Sequence, residues 1–212
     1  MTPTTTSNTT ANNTAITQYY RFHSKIYDAT RWSFLFGRDA IIQQIVAYAA
    51  PTNILEVGCG TGKNLKALAR RFPLAAISGL DVSADMLAVA RQNLGNFSRR
   101  INFIQQPYSA PIAGKAPYDL ILFSYALTMF NPGWEAALQA AQDDLALGGF
   151  IAVVDFHDSP APLFKRWMGV NHVRMDSHLQ PFLQQHFTPR INRVHPAYGG
   201  LWHYLLFLGQ KG

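Results

Sequence analysis

Cysteine is nearly absent from this chain. Cys59 stands alone among 212 residues, which excludes an internal disulfide and a cysteine-built zinc cluster. No apolar run approaches the roughly 20 residues that a bilayer-spanning helix needs. The start of the chain lacks the basic patch and apolar core of a secretory signal, so the cytoplasm is the expected compartment. Acid is scarce too: 12 Asp and Glu face 18 Lys and Arg, a formal net charge of +6. Residues 156–212 hold Lys165, Arg166, Arg174, Arg190, Arg193 and Lys211 against Asp158 and Asp176, which is +4 of that total. A one-sided balance of this kind suits an anionic partner, a lipid surface or a nucleic acid, or else a merely soluble surface. Six of the seven histidines also lie there, at spacings that match no metal-binding pattern, and no metal site is expected.

What is present is a glycine-rich turn. Ile54-Leu55-Glu56-Val57-Gly58-Cys59-Gly60-Thr61-Gly62-Lys63 is an apolar run ending in an acid and then in three glycines at alternate positions. It reads as a buried parallel strand turning tightly into a helix. Glycines lack Cβ, so a bulky ligand can lie against the backbone. Asp81 follows a second apolar run about twenty residues on, where an acid at the next strand end reaches a ribose hydroxyl pair. A dinucleotide fingerprint needs its third glycine where Lys63 stands. Glu56 would repel a pyrophosphate but suits a ligand with an ammonium group, and S-adenosylmethionine (SAM) has that group, a ribose and no phosphate. Cys59, between two glycines, reads as a small filler.

Residues 1–14 are uncharged and rich in Thr and Asn, the composition of a disordered tail. From Ile16 apolar residues recur at helical spacing through Tyr19, Tyr20, His23, Ile26 and Tyr27, and a second helix is expected from Arg38 to Ala49. Strands are expected near 53–57, 76–81, 101–105, 118–124 and 148–155, and helices near 62–71, 83–94 and 133–146, with Gly148-Gly149 opening the fifth strand. Such alternation predicts an α/β fold, a doubly wound sheet with its ligand site outside the carboxyl ends of the strands. A short helix over Leu179–Phe187 and two runs, Ile191–Val194 and Leu201–Leu208, predict a closing antiparallel hairpin.

The E-x-G-x-G-x-G run followed by Asp81-Val82-Ser83 and Met86 resembles motifs I and II of the class I SAM-dependent methyltransferases. The resemblance implies a Rossmann-like, seven-stranded, mostly parallel sheet with an antiparallel C-terminal hairpin. It implies one domain over 15–212, its N-terminal helices (15–50) capping the cofactor. SAM is the implied cofactor and S-adenosyl-L-homocysteine the product. The implied cofactor residues are Glu56, Gly58, Cys59, Gly60, Thr61, Gly62, Asn64, Asp81, Val82, Ser83 and Met86. Ser124-Tyr125, at the end of the fourth strand, would lie beside the methionine portion and the acceptor. Pro107 stands where the family usually has an acid or amide for the adenine edge, leaving Gln106 or the backbone near Tyr108 to substitute.

Competing acceptors can be excluded on residues. Ser124-Tyr125-Ala126-Leu127 lacks the two prolines of enzymes that methylate nucleic-acid amino groups, and no cysteine for cytosine C5 chemistry stands there. Both points argue against a nucleic-acid substrate. Asp119, at the start of its strand, reads as structural. Tyr27-Asp28-x-Thr30-Arg31, Gly37-Arg38-Asp39, the GCGTGKN turn, Ser124-Tyr125-x-Leu127-x-Met129 and Val153-Val154-Asp155-Phe156 together resemble the diacylglyceryl-homoserine N-methyltransferases of betaine-lipid biosynthesis. That likeness implies a lipid head-group amine as acceptor and peripheral contact with an anionic membrane. The apolar, aromatic and basic stretch from Pro160 to Met168 suits such contact, or a lid packed on the protein itself. Tyr27 is a candidate for cation–π contact with a sulfonium or methylated ammonium. Asp155 and His157 are candidates for holding or deprotonating the acceptor amine, unless Asp155 only caps a turn. Other readings are a soluble acceptor such as a quinone precursor or natural product, aminocarboxypropyl transfer, and SAM binding without turnover.

Overall fold

The computed structural model describes residues 35–212. The expected tail, the helix around Tyr20 and Tyr27, and most of the expected cap lie outside those residues. Phe36–Gly212 form one unit. Its elements are α1 (Arg38–Tyr48), β1 (Asn53–Val57), α2 (Lys63–Arg71), β2 (Ala76–Asp81), α3 (Ala84–Leu94), β3 (Ile101–Gln105), β4 (Tyr118–Ser124) and α4 (Trp134–Asp144). There follow β5 (Leu145–Asp158), α5 (Pro162–Val170), α6 (Leu179–His186), β6 (Thr188–Ala197) and β7 (Trp202–Gln210).

The seven strands are ordered β3-β2-β1-β4-β5-β7-β6. β1 through β5 are parallel to one another, while β7 runs antiparallel to both β5 and β6. This is the Rossmann-like arrangement with an antiparallel C-terminal pair expected from the sequence. The strand order reverses between β1 and β4, and sheets of this kind have their binding crevice at the carboxyl ends beside such a switch point. Alternation along the strands divides the core into two layers. Leu55, Val57, Ile121, Phe123, Ile151 and Val153 pack with Ala137 and Leu138 of α4 and with Leu179 and Leu183 of α6. Ile54, Leu120, Leu122, Ala152 and Val154 point the other way and are equally inaccessible. Each fully buried aliphatic side chain of this kind contributes about 1.5–3 kcal/mol. α1 packs beside α2, β5 and β7 through Ile41, Ile42 and Ile45, so it shields the sheet.

Two boundaries differ from the sequence expectation. β5 begins at Leu145, and Gly148-Gly149 falls inside it, where the register with β4 shifts. A Cβ on Gly149 would come within 2.9 Å of the Ala146 carbonyl and 3.2 Å of that of Tyr118, so a glycine bulge breaks the ladder here. β6 runs well past Ile191–Val194 and carries Pro189 and Pro196, which an edge strand tolerates. The stretch after β5 is a helix from Pro162, whose ring suits a first helical position.

Candidate functional site

The crevice is built on the turn after β1. The amides of Gly58 and Cys59 both donate to the carbonyl of Leu80, at 2.8 and 3.0 Å, tying this turn to the end of β2. Gly58, Gly60 and Gly62 have φ of 70°, 50° and 79°, values that side chains rarely accept. A Cβ on Gly58 would lie 2.8 Å from the Ala126 methyl, so glycine here lets the turn after β4 close on the turn after β1. A Cβ on Gly62 would press on Ala90 of α3 at 3.1 Å, whereas one on Gly60 would meet nothing within 4 Å. Gly58 and Gly62 thus serve packing, and Gly60 faces open space. Cys59 is buried, its thiol pushed up by desolvation, and its sulfur would lie 3.1 Å from a Cβ on Gly79, the position of a filler.

Two acids flank the turn. Asp81 accepts from the Gly60 amide (Oδ2, 2.9 Å) and the Ser83 amide (Oδ1, 2.9 Å), which fixes its rotamer. Ser83 caps α3 by accepting from the Met86 amide at 3.2 Å, and Thr61 accepts from Asn93 at 3.1 Å through its carbonyl. Val82, beside Asp81, is an exposed apolar side chain. Glu56 is buried, with Oε1 accepting from Asn64 at 2.8 Å and Oε2 unpartnered among the described residues. Burial pushes its carboxyl up to about 7, against the Asn64 bond and the positive charge of Arg38.

Arg38 was not singled out as a site residue by sequence reasoning. The first residue of α1, it donates from Nε to the hydroxyl of Ser124 at 3.2 Å. It therefore ties the start of α1 to the end of β4, with its charge felt by Glu56 of β1; the hint in the sequence is the Gly37-Arg38-Asp39 run at a helix start. Tyr125 follows with φ of 55°, a conformation a non-glycine residue adopts at a cost of order 1–3 kcal/mol. Its amide donates to Val154, its hydroxyl donates to the Phe36 carbonyl at 2.8 Å, and its ring meets Phe156 edge-on at 4.8 Å. Gln106 is half-buried beyond β3. The Tyr108 side chain turns into the core and donates to Asp144 at 2.9 Å, leaving its backbone as the part near the crevice. Asp119 accepts from Thr52 and Asn53 at the opposite end of the sheet, the structural place expected of it.

Asp155 lies at the carboxyl end of β5 and is inaccessible. Oδ2 accepts from the amides of Ala126, Leu127 and Thr128, at 3.0, 2.9 and 3.3 Å. Oδ1 accepts from the Thr128 hydroxyl and the Phe156 amide. Burial raises its carboxyl to about 6, against those bonds. These bonds make it the holder of a turn, the one after β4 and not the one following its own strand. His157 is half-buried, and its Nδ1 has no partner among the described residues. Burial lowers its pKa, His203 and His178 add to that, and Asp158 opposes it. Tyr27 lies outside the described residues. Among the described residues no group of His, Cys, Asp and Glu is arranged to hold a metal, and no helix is long and apolar enough to cross a membrane.

Comparison with known proteins agrees with this geometry. Residues 54–149 match a family model described as "Methyltransferase domain". The chain is 37% identical over 108 residues to a trans-aconitate 2-methyltransferase of Methylobacterium nodulans, covering 51% of this chain and 40% of that protein. It is 29% identical over 136 residues to a malonyl-[acyl-carrier protein] O-methyltransferase of Magnetococcus marinus, covering 62% and 48%. The chain thus spans less than half the length of either relative. Among solved structures it resembles N-methyltransferase NodS from Bradyrhizobium japonicum WM9 in complex with S-adenosyl-L-homocysteine. The TM-score is 0.69 at 19% identity, covering 82% of this chain and 85% of that one.

Proposed function

We propose that this chain, whose residues 54–149 are a class I SAM-dependent methyltransferase domain, methylates the amine of a lipid head group. The residues present fit SAM: Glu56 has an orphaned, buried carboxylate oxygen suited to an ammonium group, and Gly60 faces open space that a ligand can fill. Asp81, held by amides on both sides, is poised for the ribose hydroxyls. The bare backbone of Gly58, Cys59, Gly60, Thr61 and Gly62, with Asn64 behind it, lines the methionine side. Val82, Ser83, Met86, Gln106 and the backbone at Tyr108 line the adenine side. Arg38 and Ser124 meet at the end that suits the carboxylate of an amino acid. SAM supplies an electrophilic methyl on a sulfonium; the protein aligns it with a nucleophile, which lowers the barrier by roughly 7–11 kcal/mol.

The observation that carries the lipid reading is α5. Leu163, Trp167 and Val170 fall at i, i+4 and i+7, one helix face, and are 83%, 52% and 75% exposed. An exposed apolar stripe is rare on a soluble surface and marks a contact face. Arg166 beside it is exposed, and the last quarter of the chain is positive, which complements anionic lipid. The helix follows β5 at the carboxyl end of the sheet, the end that carries the glycine turn. An N-methyltransferase among the structural neighbours is in keeping with an amine acceptor.

Incubation with labelled SAM and total bacterial lipid, followed by extraction, tests the proposal. Label in a head group that becomes a trimethylated betaine supports it. Label confined to soluble carboxylates, the acceptor class in the names of the curated relatives, or methylthioadenosine as the spent donor, overturns it.

A further inference from the structure

The segment 174–178 crosses the carboxyl ends of β4 and β5. The Arg174 amide donates to the Thr128 carbonyl at 2.9 Å, and the Ser177 amide donates to the His157 carbonyl at 2.9 Å. His172 and Ser177 have φ of 62° and 63°, a strained conformation that clusters at functional sites. This anchoring delivers His178 to the same corner as His157. The His178 ring is held on two sides. Nδ1 bonds to Oδ1 of Asp176, and Trp134 of α4 meets the ring edge-on at 4.7 Å. Oδ2 of Asp176 is engaged by Arg174 Nε at 2.7 Å, which keeps the carboxylate oriented and charged.

A carboxylate at Nδ1 selects the tautomer that carries its proton there, and so leaves Nε2 as a bare lone pair. That Nε2 is buried and has no partner among the described residues, although the side chain is only 8% exposed. An acceptor lone pair buried without a donor needs an explanation. We propose that Asp176 and His178 form a base dyad whose Nε2 takes the proton of an amine acceptor. This rests on the amine reading above. The acceptor ammonium gives its proton to Nε2, and its freed nitrogen pair bonds to the methyl carbon as the sulfur–methyl bond breaks with its pair left on sulfur. The imidazolium then passes the proton to water. Burial lowers the His178 pKa, opposed by Asp176 and by Glu135 of α4 and aided by Arg174. His157 faces it from β5.

The test is His178→Gln and Asp176→Asn in the full chain, with diacylglyceryl-homoserine vesicles as acceptor and nitrogen NMR of the imidazoles. The expected result is a fall in kcat of roughly 100-fold for His178→Gln, with SAM affinity within about twofold. Asp176→Asn, at an exposed position, should convert His178 to the other tautomer and lower kcat as well. Wild-type turnover with both variants near wild type overturns the dyad and leaves the amine reading intact. Turnover only on carboxylates overturns both. If no acceptor turns over, the amine reading fails and the NMR decides the dyad alone: a proton on Nε2 at pH 7.5 overturns it.

Discussion

Asn64 donates to Oε1 of Glu56 at 2.8 Å, while the buried Oε2 has no hydrogen-bond partner among the described residues. The carboxyl is raised to about 7 from 4.5, and that of Asp155 to about 6 from 3.8. A carboxyl raised in this way binds more protons folded than unfolded. Its contribution is therefore full below the unfolded value and declines as pH rises through the folded one. The protein without ligand should lose stability between about pH 4 and 7 from these two groups. Urea midpoints across that range should fall with pH, and Glu56→Gln should flatten the slope.

Gly58 and Gly60 should respond differently to alanine. At Gly58 the methyl would meet Ala126 at 2.8 Å, so Gly58→Ala should cost about 1–3 kcal/mol and lower Tm. At Gly60 the methyl meets nothing, so Gly60→Ala should carry only the strain of a side chain at φ 50°, about 1–2 kcal/mol and less than Gly58→Ala, and still lower SAM affinity at least tenfold by calorimetry. Equal SAM affinity in Gly60→Ala and wild type would remove the cradle assigned to it.

Asp155→Asn should act mainly on stability. An amide nitrogen would face donors that now meet an oxygen, which leaves buried groups unsatisfied at about 2–3 kcal/mol. Chemical denaturation should show that loss, while the pH profile of kcat keeps its shape. A lost acidic limb with unchanged stability would instead make Asp155 a proton carrier.

Leu163→Glu with Val170→Glu removes two of the three residues of the exposed face of α5. Co-sedimentation with anionic vesicles should fall at least fivefold, with Tm and SAM affinity unchanged because both positions are exposed. Undiminished co-sedimentation would detach this helix from any membrane role.

The fold was legible because parallel strands buried on both faces write themselves as apolar runs, and Gly58, Gly60 and Gly62 punctuate the first of them. Asp81 and Glu56 were legible as acids at strand ends. Asp155 was legible as a position but not as a role: its bonds go to Ala126, Leu127 and Thr128, nearly thirty residues back, and no local pattern records them. The same holds for Arg38 and His178, whose partners come from other elements or depend on a strained turn. The Tyr108 side chain is likewise set by a partner in another element, Asp144 of α4.

Only a hydrogen atom separates the Gly58 backbone from the methyl of Ala126. The turn after β1 and the turn after β4 are therefore two rooms with one thin partition. Whatever pushes the partition from one side is felt on the other, and by linkage the effect is mutual.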